Sequence, residues 1–306
     1  MNILITGGAG YIGTELTKLL VAREDVDQVI VYDNLSRSNY NFFIGHNFPQ
    51  HKKLHFEKGE LLDSRHLKKL LEKVDVVYHL AAKVTTPFAN TDPHFFEQVN
   101  HWGTAELVYA LEESNVKKFI FTSSTGVYGS SKESVNESDQ PNPRTFYGIS
   151  KLRAEDHVNR LADQLETYIF RCGNVYGYSR SMRFDAVINK FVFEANFSKK
   201  ITIHGDGRQH RSFIHIDHAA RALEKVLDNQ IHTGMYNLVD RDLEVLDIVD
   251  VLKEIIPDLE FIFVNQHLKL RQLKVNPSKV LKEQMGITST ESFKEEIENF
   301  LARFSF

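Results

Sequence analysis

Tyr147 and Lys151 stand four residues apart in the run Tyr-Gly-Ile-Ser-Lys, and a helix through them puts both side chains on one face. A free tyrosine titrates near ~10 and keeps its proton at neutral pH. A neighbouring ammonium favours the phenolate, and a phenolate can take the proton of an alcohol while hydride leaves the same carbon. Hydroxyls able to align such an alcohol occur in Ser123-Ser124-Thr125, directly after the run Phe119 to Thr122. Ser124 is the expected aligner, with Thr125 able to share the role. Tyrosine–lysine pairs at this spacing are also common on ordinary helices, so the assignment depends on what the rest of the chain brings beside them.

The N-terminus brings a hydride acceptor's binding turn. Ile3 to Gly13 reads Ile-Leu-Ile-Thr-Gly-Gly-Ala-Gly-Tyr-Ile-Gly. Asn2 to Thr6 has the pattern of a buried strand, and Tyr11 to Arg23 places Ile12, Leu16, Leu19 and Leu20 on one helical face. A strand that stops in glycines and restarts as a helix is a phosphate cradle, because glycine allows the tight turn and the close approach of a pyrophosphate. The helix's free N–H groups and positive end then face the phosphates. Gly8, Gly10 and Gly13 keep the dinucleotide spacing, and a second strand, Gln28 to Tyr32, runs into Asp33. That acid lies about 20 residues past the last glycine, where a carboxylate grips the adenosine ribose. NAD is the expected cofactor. Arg37, shortly after Asp33, is placed to meet a 2′-phosphate and leaves NADP open.

Further strands are expected at Leu54–Lys58, Val74–Leu80, Val116–Ser123 and Glu166–Arg171. Helices are expected through Leu71, over Phe95–Glu113 with Val99, Trp102, Leu107 and Leu111 inward, and over Tyr147–Leu165. This alternation predicts an α/β fold, a Rossmann-type doubly wound parallel sheet with helices on both faces and ligands beyond the carboxyl ends of the strands. From Tyr178 the pattern loosens and phenylalanines crowd (Phe184, Phe191, Phe193, Phe197); core packing of a smaller lobe is their expected role. The expected division is 1–175 for the dinucleotide-binding part with the catalytic residues and 176–306 for the substrate lobe, with room for the chain to cross between them.

Composition narrows the function classes. The 306 residues carry a net charge of −4, so no basic field points to nucleic acid. The single cysteine, Cys172, excludes a disulfide within the chain and reads as a small buried residue. No run approaches the ~18 apolar residues of a membrane span, and no basic, apolar leader precedes the first strand; a cytoplasmic enzyme away from the membrane is expected. His204, His210, His215 and His218 lack compact ligand spacing, so no metal is expected.

Taken together, the motifs resemble those of the extended short-chain dehydrogenase/reductase family, and within it the nucleotide-sugar epimerases and dehydratases. Thr6-Gly-Gly-Ala-Gly-Tyr-Ile-Gly13 is similar to the family's cofactor turn, which implicates Gly7, Gly10, Tyr11, Ile12 and Gly13. Asp33-Asn34 resembles its ribose clamp. Glu60-Leu61 stands where the family has aspartate and an apolar residue beside adenine. His79-Leu80-Ala81-Ala82 and Asn100 with Gly103-Thr104 match further cofactor-proximal landmarks. Phe121 to Gly129 resembles the segment of the catalytic hydroxyl, here Ser124, and Tyr147 with Lys151 the catalytic pair. Lys151 is implied to lower the tyrosine's pKa and to hold the nicotinamide ribose. Arg171 to Gly177 resembles the run whose asparagine, here Asn174, contacts the substrate diphosphate; Tyr178 replaces the proline that usually follows. Gly205 to Asp217 is similar to the segment that packs the substrate nucleotide. Its Arg211 matches an arginine on the diphosphate, and Arg271 is the expected second.

The resemblance also prunes the chemistry. Family dehydratases carry an Asp-Glu pair after the catalytic hydroxyl, and here those positions are Thr125 and Gly126; Thr125 is left as a substrate contact. What remains is oxidation at a sugar carbon, C4, of a nucleotide-diphospho-sugar. Hydride then returns to the other face, as in an epimerase, or the product leaves, as in an oxidoreductase. An NADP-dependent 4-keto-sugar reductase is the alternative, and a catalytically silent redox sensor is the reading from another class. A homodimer is implied by the family.

Overall fold

The computed structural model describes residues 1–44, 52–84, 92–266, 270–287 and 291–304. Seven parallel strands form the central sheet: β1 (Asn2–Thr6), β2 (Gln28–Asp33), β3 (Leu54–Lys58), β4 (Val76–His79), β5 (Lys118–Ser124), β6 (Glu166–Cys172) and β7 (Gly234–Leu238). Their order is β7-β6-β5-β4-β1-β2-β3. Both faces are covered, which is why Ile3, Leu4 and Ile5 are all buried and the strands read as continuous apolar runs. On one face, helix α1 (Tyr11–Ala22) packs against the helix Ile216–Lys225 through a core that includes Leu16, Leu20, Ala219 and Leu223. On the other, the helices Ser64–Leu71, Gly103–Glu112 and α2 (Phe146–Val158) bury Leu67, Leu107, Leu111, Ala154 and Val158 against Leu4, Val77 and Phe119. The strand order reverses between β1 and β4, the switch point at which such sheets bind ligands.

The sheet claims a segment from beyond residue 175: β7 pairs in parallel with β6, so the chain crosses back after it has begun the lobe. The lobe's strands are Asn174–Tyr176, His210–His215 and Arg241–Glu244 in one sheet, and Lys200–His204 with Glu260–Val264 in another. Helices Val187–Ser198, Val245–Ile255 and Phe293–Ala302 enclose Ile188, Phe191, Phe213, Ile248, Leu252 and Phe300.

Three expectations fail. The run expected as one helix from Phe95 contains a π-turn, Glu97–Trp102. Its wider turn shifts the face that follows, so Trp102 is exposed while Leu107 and Leu111 stay buried. The lobe phenylalanines split: Phe191 is core, but Phe184, Phe193 and Phe197 form an exposed aromatic cluster with Phe304. The helix expected to reach Leu165 ends at Val158 and tightens into a short 3-10 turn, Asn159–Leu161. Among the described residues no helix is long and apolar enough to cross a membrane.

Candidate active site

A cavity of about 1240 Å³ opens along the carboxyl ends of the sheet strands. From β1 it takes Gly7, Gly10, Tyr11, Ile12 and Gly13; from β2 and β3, Asp33, Asn34, Glu60 and Leu61; from β4, Leu80, Ala81 and Ala82. From β5 and α2 it takes Ser124, Thr125, Tyr147 and Lys151, and from the lobe Asn174, Arg211 and Arg271. Of the residues expected near the cofactor, Asn100 is not on this wall, and neither are His79, Gly103 and Thr104. Asn100 is fully buried; its Oδ1 accepts from the Lys83 N–H at 2.7 Å and its Nδ2 donates to the Lys83 carbonyl at 2.9 Å and to Ser150 Oγ at 3.0 Å. Its place is behind the wall, fixing the loop that follows β4.

The glycine turn is shaped for a phosphate. Gly7 has φ +72°, and a Cβ there would fall 2.5 Å from the Ala81 nitrogen. A Cβ on Gly13 would fall 2.6 Å from both the Gly7 carbonyl oxygen and the Gly8 Cα. Helix α1 begins at Gly10 without any side-chain cap, so its first N–H groups have no intrahelical acceptor where the cavity meets them. The Tyr11 hydroxyl is committed elsewhere: it donates to the Gly177 carbonyl and accepts from Asn189 Nδ2. Asp33 Oδ2 accepts from the Ala9 N–H at 3.1 Å and Oδ1 from the Leu35 N–H at 2.8 Å; this fixes the carboxylate and leaves lone pairs for ribose hydroxyls. Asn34 Nδ2 donates to Glu60 Oε2 at 3.0 Å. Arg37 reaches Asp185 at 3.4 Å.

Tyr147 and Lys151 are brought to the same cavity by α2, whose first turn is capped by Thr145 Oγ1 accepting from the Gly148 N–H at 3.2 Å. Burial raises the Tyr147 phenol; a hydrogen bond with the Ser124 hydroxyl and the positive charge of Arg183 pull it back down. Arg183 takes the influence that the resemblance assigns to Lys151, because the Lys151 ammonium is turned toward β5. It is 2% exposed, donates to the Thr122 carbonyl at 2.8 Å and sits 4.6 Å from the centre of the Phe121 ring. Burial lowers Lys151 to about 8. Ser124 Oγ also accepts from the Gly126 N–H at 3.0 Å, and a Cβ on Gly126 would crowd that oxygen at 3.2 Å. Cys172 lies close enough to feel the Lys151 charge, but burial holds its thiol up near 12, which fits an inert wall residue.

The lobe contributes positive charge. Arg211 is lowered to about 10 by burial and by the charge of Arg271, and burial lowers Arg271 as well. Among the described residues no carboxylate pairs with either guanidinium; Arg211 donates to the Arg271 backbone carbonyl. Asn174 Nδ2 donates to the Ser212 carbonyl at 3.0 Å. Sequence reasoning missed Arg183. The signal for it is its position in the Ser179–Asp185 run, whose backbone Asn189 ties back by donating to the Arg183 carbonyl at 3.0 Å.

The family model described as "NAD dependent epimerase/dehydratase family" matches residues 3–238. A dTDP-D-glucose 4,6-dehydratase of Dictyostelium discoideum is 33% identical over 273 residues, covering 83% of this chain; the chain spans 61% of that relative's length. A protein of Bacillus subtilis described as an uncharacterized UDP-glucose epimerase is 31% identical over 235 residues, 74% of this chain and 72% of its own. Among solved structures, UDP-glucuronic acid 4-epimerase from Bacillus cereus, in complex with UDP-glucuronic acid and NAD, superposes over 100% of both chains with a TM-score of 0.87 at 26% identity.

Proposed function

The chain belongs to the NAD dependent epimerase/dehydratase family, and from that premise we propose that it acts at C4 of the sugar in a nucleotide-diphospho-sugar, as an NAD-dependent 4-epimerase or a closely related 4-oxidoreductase. One observation carries the reading. A single cavity holds a proton-transfer pair, Tyr147 with Ser124, and two guanidiniums, Arg211 and Arg271, that no carboxylate among the described residues neutralises. Planar guanidinium forks match diphosphate oxygens.

NAD fits the rest of the wall: its pyrophosphate at the uncapped start of α1, its ribose at Asp33. The Bacillus cereus neighbour was solved with NAD, and Asp33 and Glu60 put two carboxylates where a 2′-phosphate would meet repulsion, while Arg37 is engaged by Asp185. When bound, the nicotinamide supplies hydride acceptance at the sugar carbon. Tyr147 takes the hydroxyl proton, Ser124 holds the same oxygen in line, and Lys151 keeps a positive charge beside the nicotinamide ribose.

The Dictyostelium relative is named as a dehydratase, but elimination needs an acid and a base next to Ser124. Thr125 and Gly126 supply neither, and the cavity's carboxylates are Asp33 and Glu60, beside the nucleotide turn, and Asp185, held by Arg183 at 2.7 Å. The Gly103–Glu112 and α2 helices pack together and leave Trp102 and Phe146 exposed, which supports the homodimer; we place the enzyme in the cytoplasm. The test supplies the protein and NAD with a panel of UDP-, GDP-, CDP- and dTDP-sugars and scores C4 inversion against net cofactor reduction. Inversion or net oxidation with at least one sugar is expected. A 4-keto-6-deoxy product would establish the dehydratase instead, and silence with the whole panel would leave the redox sensor.

A further inference from the structure

Behind the cavity lies a charged group that the chemistry above does not use. Glu155 is 1% exposed and Arg171 3%. They form a two-bond ion pair, Arg171 Nε to Oε1 at 3.1 Å and Nη2 to Oε2 at 2.7 Å. The Ser123 hydroxyl donates to the same Oε1. Glu155 lies four residues after Lys151, on the same helical face, and Ser123 is the neighbour of Ser124. A buried ion pair is weak support for stability, since desolvation offsets most of its attraction; its placement is the informative feature. We propose that Glu155 is a positioning residue: gripped by Arg171, its carboxylate ties the end of β5 to the helix that carries Tyr147 and Lys151, and it is the anion that keeps Lys151 charged inside the protein.

Two groups raise Lys151 against its burial, Cys172 from β6 and Glu155. Burial holds the Cys172 thiol protonated, which leaves Glu155 as the carboxylate of the two, and burial keeps His79 from β4 neutral down to about 3. Arg171 adds a second buried cation, with the Tyr128 ring 4.8 Å from its guanidinium carbon. Remove the Glu155 charge and, among the described residues, two cations remain with no carboxylate paired to either. Lys151 donates to the Thr122 carbonyl, Glu155 accepts from Ser123, and Ser124 hydrogen-bonds Tyr147, so three successive β5 residues are held in register with α2.

The proposal rests on Tyr147 and Lys151 being the catalytic pair, but its first test needs no substrate. Protein carrying [ε-13C]lysine, free of cofactor, is titrated by NMR, with Lys151 assigned through Lys151→Arg. Glu155→Gln keeps the shape and removes the charge; the Lys151 midpoint should fall by about one pH unit or more, and Glu155→Asp should restore most of it. An unchanged midpoint in a folded Glu155→Gln protein overturns the proposal. If Glu155→Gln does not fold, Ser123→Ala leaves the ion pair intact and removes only the tie to β5. It should lower kcat severalfold with KM for the sugar nucleotide unchanged, and an unaltered kcat overturns the positioning role. Loss of all activity in the wild type with a normal Lys151 shift would instead count against the proposed function alone.

Discussion

At Tyr147 two influences oppose each other: burial holds the proton on, and the Ser124 hydroxyl and Arg183 loosen it. Removing the phenolic oxygen with Tyr147→Phe should therefore leave cofactor affinity intact while turnover falls about a hundredfold to ten-thousandfold, the range for a positioned acid–base group. Cofactor binding by fluorescence and turnover by product NMR read the two separately, and wild-type turnover in the variant would remove Tyr147 from the mechanism. A second residue acts on stability. His79 is fully buried between Thr6 Oγ1 (2.6 Å) and Thr104 Oγ1 (2.9 Å), and burial lowers it to about 3. Its native pKa is below its unfolded value, so between about 3 and 6.5 the unfolded chain binds the extra proton and stability is lost as pH falls. From pH 7 to pH 5 this one group should cost about 2 kcal/mol. Thermal melts at the two pH values check it, and His79→Gln should flatten the difference.

At the scale of elements, the strand–glycine–helix unit makes the sharpest claim. Gly13→Ala would drive a methyl into the Gly7 carbonyl and the Gly8 backbone. Neither is a flexible side chain, so dinucleotide binding should be lost. Gly286 follows the helix Lys279–Met285 with φ +62°, and among the described residues nothing lies within 4 Å of a Cβ there. Gly286→Ala should cost only about 1 kcal/mol, from the left-handed backbone alone, and bind NAD normally. Calorimetric melts and NAD titration of both variants decide it. This unit was legible because its cues are local: a short apolar run, glycines at fixed spacing, then helical periodicity. The Tyr147–Lys151 spacing was legible for the same reason. The π-turn at Glu97–Trp102 was not, since an added residue leaves no compositional mark, and Trp102 was turned inward in the reading as a result. Strand β7 was hidden too: Gly234–Leu238 is short, and only its long-range pairing with β6 makes it part of the sheet. Arg183 and the Glu155–Arg171 pair depend on contacts between elements distant in sequence, which spacing does not report.

Across the whole molecule, the cavity wall comes from both the sheet and the lobe, and the two are tied at the start of α1. Tyr11 donates to the Gly177 carbonyl and Thr14 Oγ1 to Ser181 Oγ at 2.9 Å. The cofactor and the sugar nucleotide should then stabilise the protein through different residues of one folded unit. A ligand at a hundred times its Kd adds about 2.7 kcal/mol, enough to raise Tm by several degrees in a chain of this size. Wild-type protein should show such a rise with NAD, and a further one when a nucleoside diphosphate is added. Arg211→Ala should keep the NAD rise and lose most of the second, because Arg271 alone then faces the diphosphate; Gly13→Ala should lose the first. A diphosphate shift that survives in Arg211→Ala at full size would place the anion site elsewhere in the cavity. A second rise that shrinks with added salt in the wild type and is absent in the variant at any salt would identify it as the guanidinium contact, since salt screens charge pairs, partly buried ones less than exposed ones.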